Sequence, residues 1–555
     1  MRAAFAVIAI LCACGPGPRE RPDGGGSATD AGCSNTCSAD LSAILDCNGT
    51  VVAQCGADDQ CDTTAVACVN ACQAAEANHR SVGCDYYATY MEAEISSYCF
   101  AVFVANTWTT PAHVTVDYGG QALSVASFAR MPTGAGPGLT LAPYDPVHGI
   151  NPKDVAILFL GGQSGSAPMC PVTAAVSAPM LSGTGVSTSF HITSDVPVVA
   201  YEINPYGGGS AAVTGASLLL PTSAWDTSYV AVNVTPNDIY PPSLNIVAQE
   251  DGTIVTMTPV ATVVAGTGIP AGNAGQPMTI NLNKGQNAQI TQAAELTGSS
   301  ISTNKPVGFM AGQPCMRWPV GTFYCDHGEQ MVPPVHALGN RYVGVGYRPR
   351  VPGETAYWYR LIGAVDGTTL TYSTQVGGPA ALSKGQSVTF QTGTPFVVES
   401  QDTNHPFMLF TYMSSSQAVT DGYGDPDFVV SVPPEQFLYS YVFFADPTYP
   451  ETNLVVIREL GTDNNFHEVV LDCAGPITGW QTVGNYQWAR ADLMTGNFQG
   501  VGACSTGRHD IHSDAPFGLT VWGWGTPNTT TFTENVSYGY PGGMSVAPIN
   551  TVVIQ

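Results

Sequence analysis

The stretch Thr303-Asn304-Lys305-Pro306-Val307-Gly308-Phe309-Met310-Ala311-Gly312 decides the fold, because its opening recurs. Ser194-Asp195-Val196-Pro197-Val198, Thr403-Asn404-His405-Pro406-Phe407 and Ser513-Asp514-Ala515-Pro516-Phe517 share the pattern [ST]-[DN]-x-P-[VF]. The four copies start at 194, 303, 403 and 513, so the period is 100 to 110 residues. Asp or Asn closes a side-chain turn, and Pro fixes φ and forbids helix. An apolar, aromatic-bearing run follows each copy: VVAYEI, GFMAG, MLFTYM and GLTVWGW. The motif reads as a turn that launches a buried strand.

Two further markers travel with it. A proline and then a tyrosine-led strand follow three copies: LPTSAWDTSYVAV from Leu220, PPVHALGNRYVGV from Pro333 and PPEQFLYSYVFF from Pro433. Asp251-Gly252 and Asp366-Gly367 lie between alternating apolar runs and predict β-hairpins. The first unit has its counterpart in FAVFVANTW and HVTVDY, with a loop-rich insertion from Gly119 to about Gly185. The expected fold is all-β: four imperfect repeats of about 100 residues, each a sandwich-like unit of roughly seven short strands. The alternative is a closed, propeller-like toroid, with the terminal SVAPINTVVI completing the ring.

Composition agrees. Only 11% of residues are charged, while Gly (61) and Pro (41) are abundant, which favours short strands and many turns. With 17 basic and 42 acidic residues the net charge is −25, and no basic cluster interrupts it, so nucleic acid is excluded as a partner.

Ahead of the β body the chain changes character. Arg2 and the short apolar run Ala3 to Leu11 form a secretory signal over 1–14. The closing Leu11-Cys12-Ala13-Cys14 resembles the lipobox of bacterial lipoproteins, which makes Cys14 the lipidation site. Residues 15–32, GPGPRERPDGGGSATDAG, have almost nothing to bury and read as a flexible linker. Residues 33–83 form a Cys-rich disulfide module, with a short helix expected within Cys61 to Ala77, and 84–555 the repetitive body. Of sixteen cysteines, setting aside Cys12 and Cys14 leaves an even fourteen, and in an exported chain that implies disulfides rather than zinc knuckles. Nine crowd into the segment from Cys33 to Cys99, so one must reach outside it. Cys170 is the partner expected, mated to Cys84 or Cys99, while Cys315 pairs with Cys325 and Cys473 with Cys504.

The segment TNKPVGFMAGQPC, followed by CDHGEQMVPPVHALGNRYVGV, resembles the IgGFc-binding protein N-terminal domain family. The positions that carry the likeness are Lys305 to Phe309, Gly312, Cys325-Asp326-His327, Gln330 and Pro333-Pro334, with Met331-Val332 as an insertion relative to the family pattern. The likeness is best over about residues 190 to 420. The whole layout also looks like bacterial lipoproteins that carry this domain. The resemblance implies extracellular binding or adhesion, not a particular ligand.

A search for chemistry yields weak candidates. There is no G-x-S-x-G, HExxH, Walker A or GxGxxG set, and the chain reads as no enzyme. Asp326, His327 and Glu329 cluster beside the Cys315–Cys325 bridge as acid/base or metal candidates, against a structural reading in which Asp326 and His327 hydrogen-bond the bridged loop. His509 and His512, with Asp510, are read as two metal candidates on one strand face. Asp421, Asp425 and Asp427 offer hard oxygens for Ca²⁺. Trp480, Trp488, Trp522 and Trp524 suit either a sugar platform or core packing. No cofactor is otherwise called for. The function expected is that of a lipid-anchored surface protein at the cell envelope or outer membrane, binding an extracellular glycan or protein. A secreted hydrolase with an unrecognised site and a structural envelope component are the alternatives.

Overall fold

The computed structural model describes residues 34–554 except 39, 164–169, 178, 209–210, 237, 462 and 528–533. The signal 1–14, Cys14, the linker 15–32 and Cys33 therefore lie outside the described residues.

The third unit shows the building plan most cleanly. One antiparallel sheet runs Arg341–Gly344, Phe396–Ser400, Thr368–Tyr372, Ala381–Leu382. The second runs Ser387–Thr392, Tyr357–Gly363, Phe407–Met413, Asp427–Val430. The other three units contain this order of eight strands, one more than the sequence suggests, with additional short strands at their edges. The difference from the third unit is that Phe396–Ser400 and Phe407–Met413 become a single long strand: Phe190–Ile203, Ser300–Met316 and Gly507–Trp524. In Ser300–Met316, residues 300–303 pair with Thr253–Thr258 and 307–312 pair with Ser243–Ala248. The chain thus passes from one sheet to the other midway.

That crossing is where the [ST]-[DN]-x-P-[VF] motif sits. In three units it does not launch a strand but lets one change sheets. Proline is tolerated there because the missing N–H falls where neither sheet needs a donor. Ser194 Oγ and Thr303 Oγ1 donate to the carbonyls of Val196 and Lys305 (2.7 and 2.6 Å). Asp195 and Asn304 accept the amides of His113 and Ile254, both at 2.7 Å, pinning the neighbouring strand.

The tyrosine-led strands lock the same crossing. Tyr86, Tyr229 and Tyr342 donate their hydroxyls to the carbonyls of Val198, Val307 and Phe407 at 2.7, 2.6 and 2.7 Å, and Tyr441 does the same to Phe517. The acceptor in every unit is the residue after the motif proline. These phenols are buried, so Tyr229→Phe or Tyr342→Phe should each cost about 1–3 kcal/mol by orphaning a buried carbonyl. Unfolding midpoints at constant pH measure it.

The Asp-Gly turns are corners, not hairpins. Ser243–Ala248 and Thr253–Thr258 flank Asp251-Gly252 but belong to different sheets of one sandwich, as do Tyr357–Gly363 and Thr368–Tyr372 around Asp366-Gly367. Gly252 and Gly367 take φ of +66° and +71°, a demand that hairpin and corner share. The Asp251 and Asp366 carboxylates instead accept the amides of Lys284 and Lys384 in the next turn.

The first unit's insertion also hides a core strand. Val155–Gly162 is buried throughout and pairs with Phe100–Asn106. Its unbroken apolar run has both faces covered, so it shows no alternation.

The four sandwiches close into a ring. The last strands of the units, Ala216–Leu219, Asp326–Met331, Asp427–Val430 and Ser537–Pro541, touch in cyclic order, the fourth returning to the first. Neighbouring units share cores: the first with the fourth, the second with the third, the third with the fourth. Sandwich and toroid thus describe two levels of one architecture. After the last strand the chain runs past the starts of three units, with Val546, Ser545 and Ile549 donating to the carbonyls of His79, Gln436 and His336.

In the Cys-rich module, Cys37–Cys61, Cys55–Cys68 and Cys72–Cys84 are bonded. The short helix is Ala71–Asn78, at the end of the segment expected to hold it. Before it, the Asp62 carboxylate accepts the amides of Thr64 and Ala65 and turns 59–70 into a hairpin, and Asn70 caps the helix through Cys72 N. Cys84 therefore belongs to Cys72, and Cys170 is bonded to Cys99. The bridges Cys315–Cys325 and Cys473–Cys504 are present in the body. No helix among the described residues is long and apolar enough to cross a membrane.

Candidate functional site

The residues singled out as Asp326, His327 and Glu329 lie on the innermost strand of the second unit, all with 0% exposure. They do not support the bridged loop. Asp326 accepts Thr214 N at 3.0 Å and Ser537 N at 2.7 Å, joining the first and fourth units across the ring. Gln330 Nε2 repeats the service, donating to Ala216 O and Gly539 O at 2.9 Å each. His327 Nε2 lies 3.4 Å from Glu329 Oε2 and 3.4 Å from the Asn204 side-chain nitrogen. Burial drives His327 down to about 3 and pushes Glu202, Glu329 and Asp326 well above the carboxylate range, with like charge from Glu329 adding to the effect on Glu202. The imidazole and the carboxyls are sealed from solvent where the units meet.

His509 and His512 do not share a face. They are three residues apart, an odd step on a strand of period two, so His509 points inward and His512 outward. Both His509 nitrogens are engaged, Nδ1 with Asp472 at 3.0 Å and Nε2 with Ser505 O at 2.8 Å. Among the described residues the one converging set with metal-ligand character is Asp472, Cys473 and His509, and Cys473 is oxidised onto Cys504. Asp421 is exposed, whereas Asp425 and Asp427 are buried and shifted upward by burial; the three do not converge on a cation site. Trp488, Trp522 and Trp524 are core residues, and Trp480 lies under the Arg458 guanidinium, 4.0 Å from the ring centroid.

The surface feature that stands out is the loop closed by Cys315–Cys325. Val320, Phe323 and Tyr324 are exposed at its tip, Phe323 to 72%. The loop is fastened on three sides. The disulfide closes its base, Asp238 pairs with Arg317 and accepts Gly321 N, and Gln417 of the third unit accepts Phe323 N at 2.6 Å. Large apolar side chains on a loop this constrained lose little entropy when covered. The sequence signal was available, as aromatics between two nearby cysteines, yet only the bridge itself was read from it.

A family model described as IgGFc binding protein matches residues 215–523, more than half of the chain. The chain belongs to the IgGFc-binding protein family. No curated protein matches it.

The match begins at the innermost strand of the first sandwich and ends within the last long strand. Within the matched residues, Cys325 closes the loop, and Asp326 and Gln330 bridge units. Ahead of it, His191 sits between Asp117 (2.8 Å) and Asp85 (3.1 Å) and stacks on Tyr87. Burial opposes its charge, but the two carboxylates outweigh it and raise its pKa, and the ring staples three adjacent strands.

Proposed function

We propose that the protein acts in extracellular binding or adhesion, held at the cell surface by lipid on Cys14 and the 15–32 tether, with the body from residue 84 presenting the contacts. The disulfide-stapled apolar tip carries this reading. A rigid display of Val320, Phe323 and Tyr324 fits a protein or glycan partner, and the family's description as a binding protein agrees with it. The hydrolase alternative loses support, because His327 is sealed and His509 is fully engaged within the fold. Immunoglobulin Fc is one probe among several.

The test is an array of glycans, mucin, matrix proteins and immunoglobulin, probed with the native, disulfide-intact protein. Phe323→Ala/Tyr324→Ala should weaken the strongest interaction roughly tenfold or more, as loss of aromatic anchors does, with the melting temperature unchanged. Equal binding by the double variant removes the tip from the account. Mass spectrometry of native protein tests the acylated Cys14.

A further inference from the structure

A cleft of about 380 Å³ runs between the Cys-rich module and the first and fourth sandwiches, a size within the range of small-ligand sites. Asp40, Asp59, Gln60 and Arg80 line it from the module, Trp108 from the first unit, and Ser440 from the fourth.

Arg80 is unlike the other arginines. Arg130, Arg317, Arg341, Arg348, Arg350, Arg360, Arg458, Arg490 and Arg508 each donate to a carbonyl, a carboxylate or another side-chain oxygen. Among the described residues, Arg80 alone of its kind has a guanidinium without a hydrogen bond or ion pair; its one recorded pairing is a backbone bridge to Ser545. This happens in a chain with 42 acidic and 17 basic residues, where carboxylate partners are plentiful. Burial lowers its pKa, opposed only by Tyr439 and Tyr441. A partly buried fork of five N–H donors with no protein partner matches a carboxylate in two-pronged fashion.

The remaining walls narrow the ligand. Trp108 spends its indole N–H on Ala57 O at 3.0 Å, so it offers the cleft ring surface rather than a donor. Asp40 is already held by the Ser38 and Ser42 hydroxyls (2.6 and 2.8 Å) and does not reach for Arg80. Asp40 and Asp59 disfavour polyanions such as phosphate esters but accept hydroxyl hydrogens. One carboxylate, several hydroxyls and an apolar ring face describe a sugar acid.

We propose that this cleft binds a carboxylated sugar, with Arg80 taking the carboxylate and Trp108 the apolar face of the ring. The cleft shares no residue with the 315–325 loop, so the two sites stand or fall separately.

The experiment is calorimetric titration of the full chain with glucuronate, galacturonate and N-acetylneuraminate, with glucose and acetate as controls. At least one sugar acid should bind saturably while glucose and acetate do not. Arg80→Gln should weaken that binding roughly ten- to hundredfold, the equivalent of one lost charge-assisted pair, and Trp108→Ala should also weaken it. Arg80→Lys, which keeps the charge and loses the fork, should fall between, and matching melting temperatures show that the variants fold. No saturable binding of any sugar acid, equal binding of acetate, or unchanged affinity in Arg80→Gln each overturns the proposal.

Discussion

Lowering the pH from 7.5 to 5.5 should raise the unfolding temperature of the disulfide-intact protein, the reverse of ordinary acid denaturation. The cause is the set of buried acids around the ring axis. Burial raises Glu202, Asp326, Glu329, Asp425 and Asp427, and pushes Asp446 up to about 6. Their unfolded values lie near 4. Below that, both states are protonated and the full stability is present. As pH rises, the unfolded chain ionises first, and stability is lost until each folded pKa is passed. Asp446 contributes about 3 kcal/mol over the whole interval from near 4 to about 6, of which under about 1 kcal/mol falls between pH 7.5 and 5.5, at ~1.4 kcal/mol per pH unit; the rest of the change in that window comes from the acids raised further. His191, raised by its two carboxylates, works in the same direction. The opposite trend belongs to His327, whose burial-lowered value makes the fold resist the proton that the unfolded chain takes up as pH falls below about 6.5, and, only in stronger acid, to hydrogen-bonded surface acids such as Asp145, Asp402 and Asp463. Glu329→Gln and Glu202→Gln should each flatten the slope between pH 5.5 and 7.5, measured by calorimetry. A stability maximum above pH 7 in the unmodified protein would contradict this electrostatic picture.

Glu354→Gln should destabilise the fold by about 3–5 kcal/mol, because it strands a buried charge. The Arg350 and Glu354 side chains are 0% and 1% exposed. The guanidinium meets Glu354 at 2.6 Å and donates to the carbonyls of Tyr423 and Gly424 at 3.0 and 3.2 Å, while Tyr347 gives its hydroxyl to Glu354 at 2.6 Å. Burial works against ionisation of Glu354, yet Arg350 outweighs it and holds the carboxyl below its usual range. Next to the pair, Arg348 joins Glu451 and Asp492 of the fourth unit, so the loss is felt at a seam of the ring. The double change Arg350→Met/Glu354→Leu should cost less than Glu354→Gln alone, since apolar replacement of both partners removes the stranded charge. Chemical unfolding of the three proteins at one pH decides it; a double change that costs as much as Glu354→Gln or more would mean that the loss is not that of a stranded charge.

Much of the architecture was legible because each repeat carries the same short demands. The proline motif, the following tyrosine strand and the period of about 100 residues mark four equivalent units, and each marker has a separate physical job. Their meeting was not legible: nothing local shows that Tyr229 reaches Val307, a contact made across 78 residues. Asp-Gly turns misled because a corner between sheets and a hairpin ask the same left-handed φ of glycine. Val155–Gly162 was missed because a strand covered on both faces has no alternation to read. At the candidate site, Asp326 and His327 drew attention as polar residues in an apolar body, and only the ring explains them, since their partners Thr214, Ser537 and Asn204 come from other units. Arg80 carried no signal at all; its distinction is the absence of a partner, which a sequence does not display.

Hydrogen exchange followed by mass spectrometry tests the closed ring most directly. In a closed ring Ala216–Leu219, Asp326–Met331, Asp427–Val430 and Ser537–Pro541 are equivalent, and all four should be protected to the level of global unfolding. In an open row of sandwiches the first and last of these strands would be free edges. Fast exchange confined to Ala216–Leu219 and Ser537–Pro541, with the middle two protected, would contradict the ring.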